Sequence, residues 1–165
     1  MPGRIHDYLA GDHERLDTLL DRATSDPENI DTAAYAGFRA GLLKHIGIEE
    51  KVLLPAARKQ RDGEALPLAA KLRLDHGALT ALLVPSPTAP IVAAIRAILR
   101  AHNPIEEGAG GVYEQCEALT GTEVDRILLE MRDFPDVKVL AHVDSHFVME
   151  AARRALARAG YDLKL

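Results

Sequence analysis

The amino-acid sequence predicts an all-α fold: an antiparallel up-down-up-down four-helix bundle with one or two additional helices at its C-terminal end. Three observations lead there. The composition is rich in Ala, Leu, Arg and Glu and holds only 4% aromatic residues, which favours helix. Apolar residues recur at helical intervals through the long segments, and none shows the alternating β-branched pattern of a strand. Turn-rich stretches, TSDPEN at 24–29, RDGE at 61–64 and PSPTAP at 85–90, cut the chain into helix-length pieces whose short connections favour antiparallel neighbours.

Taken in order, the first helix is expected over residues 5–23, stopped by TSDPEN. The second spans 32–61, entered after Asp31 as a cap and closed at RDGE. The third covers 66–84. The fourth starts near residue 89, with Pro90 suited to a first turn, and reaches at least 102–106; past GAGG at 108–111 it extends to 119. VDRILLEMR at 124–132 places Val124, Ile127, Leu128 and Met131 on one face. A last helix is expected over 137–159. At 165 residues the chain is one domain, with a bundle over 1–120 and a helical extension over 121–165 packed on it.

Bulk charge excludes some partners. A net charge of −5 with no basic run argues against nucleic acid or an anionic membrane surface. Cys116 is the single cysteine and has no internal partner for a disulfide. The opening MPGRIHDYLAGDHERL lacks an apolar signal region, and nowhere do about 18 apolar residues run together. A cytoplasmic location is the expectation.

The chemistry lies in a repeat. DHERLDTLL at 12–20 returns as DHGALTALL at 75–83, and HIGIEE at 45–50 returns as HNPIEE at 102–107. Register gives the repeat its meaning. The first helix carries the stripe Leu9, His13, Leu16, Leu20, and the third matches it with Leu72, His76, Leu79, Leu83. The second carries Phe38, Leu42, His45, Glu49, and the fourth Ile95, Leu99, His102, Glu106. Residues at these spacings share a helix face, so four histidines and two glutamates point toward the interior. Buried ionised groups cost several kcal/mol each unless compensated, and a metal compensates all six at once while adding its binding energy to folding. Six side chains exceed one tetrahedral zinc site; they suit two ions bridged by two carboxylates, with imidazole caps and open positions. Mixed His and carboxylate ligation favours iron, then manganese.

This order of residues resembles the hemerythrin-like family, the HHE cation-binding domains: His on the first helix, H-x-x-x-E on the second, His on the third and H-x-x-x-E on the fourth. HIGIEEKVLLP at 45–55 is similar to the family's second-helix signature, and the resemblance covers residues 5–115. It implies a four-helix bundle holding a non-haem di-iron centre, two irons per chain with an oxo or hydroxo bridge, and manganese or zinc as substitutes. The ligands would be His13, His45, Glu49, His76, His102 and Glu106, with both glutamates bridging.

Several positions depart from the pattern of the oxygen-carrying members or sit beside it. Leu72 and Thr80, a turn either side of His76, supply no second imidazole on the third helix. Pro104 between His102 and Glu106 removes a helix hydrogen bond and is expected to kink this half of the site. His142 and His146 lie four apart on the expected last helix as a candidate pair, and His6 lies one heptad before His13 as a bundle-end residue. Asp12 and Asp75, beside the histidines, offer a supporting role; Glu50 and Glu107 are expected in solvent, with Glu107 a reserve ligand. Tyr113 and Cys116 are near the fourth-helix motif, the latter a candidate redox thiol.

The expected partner is a small diatomic molecule, oxygen or nitric oxide, or a peroxide. The alternative is an iron- or oxygen-responsive regulatory or interaction module without turnover, and a metal-free interaction bundle is a third class. As an enzyme the chain would be a di-iron oxidoreductase acting on peroxide or nitric oxide. The C-terminal helices are the expected surface for a homodimer or protein partner.

Overall fold

A computed structural model of the protein describes residues 2–165, and every regular element among them is helical. In chain order these are α1 (Arg4–Ala23), α2 (Thr32–Ile48), α3 (Leu54–Lys59), α4 (Ala69–Leu82), α5 (Ala89–Glu107), α6 (Val112–Thr120), α7 (Val124–Arg132) and α8 (His146–Ala159). A π-helical segment, Glu49–Leu53, joins α2 to α3, and a 3-10 turn, Gly121–Glu123, joins α6 to α7. Among the described residues no helix is long and apolar enough to cross a membrane.

The chain divides into two compact units, each discontinuous in sequence. The first takes the chain up to Ala69 together with Asn103–Lys138; the second takes Ala70–His102 and Val139–Leu165. In the first unit α1 packs on α2 and α6, and α3 also lies against α6. Its core includes Leu9, Leu16, Leu20, Phe38, Leu42, Leu53, Val112 and Met131, all buried. In the second unit the buried residues Leu72, Leu79, Leu82, Ile91, Ile95 and Leu156 recur at helical spacing on α4, α5 and α8. The division between the two ranges falls within α5, after His102.

Local chemistry explains the helix boundaries. Asp31 caps α2 as its sequence position predicts, its carboxylate accepting from the Ala34 amide at 2.9 Å. The wide π turn precedes Pro55, which has no amide to donate to Lys51 and whose ring crowds that carbonyl. The Leu54 amide donates instead to the Glu49 carbonyl, five residues back. The expected distortion therefore falls in the first motif copy rather than the second. Pro104 is accommodated inside α5, which runs on to Glu107.

Two expected helices are corrected. The fourth does not continue to residue 119; the chain turns at Gly108–Gly111 and restarts as α6. The Gly111 amide donates to the Gly108 carbonyl at 2.7 Å, and Gly110 adopts φ 72°, in the left-handed region. The last helix begins at His146, not at 137. Residues 139–145 form an irregular strand of chain tied to the turn after α4: the Val143 amide donates to the Val84 carbonyl at 3.1 Å, and the Ser86 amide and hydroxyl donate to Asp144 at 2.7 and 2.6 Å. Ser145 then caps α8, accepting from the Val148 amide at 3.3 Å.

The corner after α5 leaves no room for a side chain. A Cβ at Gly111 would stand 2.5 Å from the Glu106 carbonyl oxygen and 2.6 Å from that of Gly108. Gly111→Ala is expected to destabilise the fold by about 1–3 kcal/mol, an overpacking cost against rigid backbone. Urea denaturation measures this, and an unchanged midpoint would show that the corner relaxes freely.

Candidate metal centre

In the first unit the predicted stripes converge. His13 projects from α1 between the buried residues Leu9 and Leu16, and His45 follows buried Leu42 by one turn on α2. Glu49 opens the π-helical segment and Glu106 lies in the last turn of α5. All four side chains are buried, and their ligand atoms lie within 4.8 Å of one another. The His13 and His45 rings stand 4.5 Å apart; His45 Nε2 is 3.2 Å from Glu49 Oε1, and His13 Nε2 is 3.5 Å from Glu106 Oε2.

Each imidazole is aimed by a carboxylate behind it. His45 Nδ1–H donates to Asp12 Oδ2 at 2.9 Å, and His13 Nδ1–H donates to Glu107 Oε2 at 2.9 Å. The acceptors fix the proton on Nδ1 and turn each Nε2 toward the cluster, the arrangement that orients metal-binding imidazoles. Burial alone would lower the basicity of His45, but Glu49, Asp12 and Glu106 reverse this and raise its pKa to about 10. The Asp12 carboxyl is held below its usual value: burial opposes this, and hydrogen bonds from His45 and Arg15 overcome it. Glu107 is lowered too, first by its hydrogen bond from His13. The cluster thus favours positive charge at His45 Nε2, where a cation can take over from a proton.

Two imidazole nitrogens and two carboxylates within this span form a donor set that could hold a metal ion.

The second unit holds His76 and His102, both buried, with ring centroids 4.9 Å apart. His102 Nδ1–H donates to Asp75 Oδ2 at 3.1 Å, and Lys71 pairs with the other oxygen of Asp75. Burial pushes the Asp75 carboxyl up, yet His102 and Lys71 bring it below its usual value. The sequence repeat is thereby a repeat of contacts: each DH motif gives its aspartate to the histidine of the H-x-x-x-E motif that follows, Asp12 to His45 and Asp75 to His102.

Other candidates take different places. Glu107 is not a solvated reserve but the partner of His13. His6 turns from the cluster, its Nε2–H donating to the Glu107 carbonyl at 2.8 Å. His142 lies outside any helix, its ring against the Val84 carbonyl at 3.3 Å, and His146 is exposed at the start of α8. Burial, then Glu49 and Glu106, push the Cys116 thiol to about 12, so it keeps its proton and is a poor redox nucleophile.

Tyr113 is the residue that sequence reasoning left without a role. Its hydroxyl donates to Glu49 Oε1 at 2.6 Å and stands 3.1 Å from Glu106 Oε2, 3.2 Å from His13 Nε2 and 3.3 Å from His45 Nε2. The phenol is fully buried, and burial followed by the two glutamates raises its pKa well above the usual value. Helical periodicity along α5 does not carry to Tyr113, because α6 is a separate helix beyond a glycine corner.

Asp12→Ala removes the group that aims His45 while leaving the four donors in place. Metal affinity is expected to fall about 10–100-fold, the usual effect of losing such a support. Competition against a chromophoric chelator measures it, with His146→Ala as the variant that leaves affinity unchanged; equal affinity in Asp12→Ala would remove His45 from the ligand set. No family model, curated protein or solved structure matches the chain, so its own donor geometry defines this centre.

Proposed function

We propose that the chain is a hemerythrin-like non-haem di-iron protein that binds or reacts with a small ligand: dioxygen, nitric oxide or peroxide. The ligands in this reading are His13, His45, Glu49, His76, His102 and Glu106, carried by an antiparallel four-helix bundle, with the two glutamates bridging. The observation that supports it most is the buried convergence of His13, His45, Glu49 and Glu106, four of the six motif residues. The pairing of His76 with His102, and the aspartate behind His102, adds support for the other two.

Iron in such a site supplies redox chemistry and open coordination positions. The chain supplies the rest. Asp12, Asp75 and Glu107 hold the Nδ1 protons of His45, His102 and His13 and so direct the lone pairs of the Nε2 atoms. Buried apolar residues one turn from the donors, Leu9, Leu16 and Leu42 among them, keep water from the imidazoles.

Protein purified from iron-rich medium is expected to carry close to two irons per chain, and His76→Ala close to one, by elemental analysis. Iron absent from the wild type would end this reading. Anaerobic reduction followed by separate exposure to oxygen, nitric oxide and peroxide then sorts the chemistry by absorption spectroscopy. Reversible spectra with oxygen indicate carriage or sensing, and turnover of peroxide indicates an enzyme. An iron-loaded protein indifferent to all three ligands would leave metal storage or structure as its role.

A further inference from the structure

We propose that Tyr113 is a fifth ligand, a phenolate oxygen bound to the ion held by His13, His45, Glu49 and Glu106. The proposal rests on the metal reading of that cluster and deepens it.

One phenolic oxygen lies 2.6–3.3 Å from a donor atom of every member of the cluster. A hydroxyl has a single proton to give, yet two carboxylates face it. The four donors are therefore arranged around this oxygen in a way that hydrogen bonding to a phenol does not require. A cation drawing the four donors inward has the phenolic oxygen within reach without recruiting anything from solvent.

Burial adds a second argument. Tyr113 is fully enclosed, and its hydroxyl can donate to only one of the two carboxylates that face it. The chain nevertheless commits a backbone device to the position. The corner at Gly108–Gly111 brings the start of α6 back beside the last turn of α5, so that Tyr113, second residue of α6, meets Glu106 only seven residues earlier.

Charge completes the case. A phenolate adds one negative charge to the two imidazoles and two carboxylates, and a ferric ion takes such anionic oxygen donors. On binding, the phenolic O–H bond is replaced by an O–metal bond and its proton leaves to solvent; no oxidant or reductant is needed. In the second unit the tyrosine near Asp75 is Tyr161, and its hydroxyl accepts from Lys71 at 3.5 Å. The phenol that meets the donors of the first cluster is Tyr113, and the ion there should be spectroscopically distinct.

The test loads the full chain with iron(III) and records iron content, visible absorption and resonance Raman spectra, with natural and ring-deuterated tyrosine. The expected result is a tyrosinate-to-iron band in the visible, with Raman modes that shift on ring deuteration. Tyr113→Phe, which keeps the ring in the core, is expected to lose the band while retaining iron. Iron bound by the wild type without tyrosinate modes overturns the ligand assignment and leaves the metal reading intact, as does an unchanged band in Tyr113→Phe. Iron absent from the wild type overturns both. Should Tyr113→Phe also shed its iron, the deuterium shift in the wild type decides alone.

Discussion

Two glutamates sealed inside a small helical protein set the terms for everything around them. Glu49 and Glu106 are almost wholly buried, where an ionised carboxylate without partners costs several kcal/mol. The chain answers with two imidazoles and a phenol at hydrogen-bond range and with further carboxylates behind the imidazoles. Each added carboxylate stabilises an imidazolium but deepens the local negative charge. Four acids, Asp12, Glu49, Glu106 and Glu107, serve two imidazoles in the first unit, a cluster of buried donors that could hold a metal ion.

Positioning in this molecule works through contacts that alternate between motifs. The aspartate of a DH pair does not serve its neighbouring histidine, which leaves the backbone in a different direction. It reaches to the next helix and holds the histidine there, as Asp12 does for His45 and Asp75 for His102. Successive helix residues point about 100° apart, so adjacent Asp and His can serve two different imidazoles at once. Glu107 extends the same logic, following Glu106 and bonding His13 while Glu106 faces the cluster. The doubled acid of each IEE sequence is thus not redundant in HNPIEE: one oxygen pair faces inward, the other braces a ring.

Much of the first unit was legible because helix register is arithmetic. Leu9, His13 and Leu16, or Leu42, His45 and Glu49, share a face by spacing alone, and their burial follows. The cap at Asp31 and the helix over 124–132 were readable for similarly local reasons. What register cannot supply is the path of irregular chain. Tyr113 enters the cluster through a corner built on Gly108–Gly111, and no periodicity carries across such a turn. Residues 139–145 read as helix by composition, yet Val143 and Asp144 find backbone and side-chain partners at Val84 and Ser86 that only tertiary structure provides.

Backbone irregularity, finally, sits beside the acids rather than at random. Pro104 lies two residues before Glu106, and the π-helical segment starts at Glu49 itself, followed by Pro55. In a regular α-helix both prolines would leave a carbonyl one turn back without its donor. The first copy resolves this by widening a turn, with Leu54 bonded to Glu49 five residues earlier; the second keeps its helix and ends it three residues beyond the proline. A π turn inserts one extra residue and shifts the face of everything after it. Here that shift lets Leu53 and Leu54 both be buried while Glu49 stays with His45. The two halves of the repeat therefore carry their buried carboxylates, Glu49 and Glu106, on different backbone routes, one a widened turn and the other a helix that holds its proline.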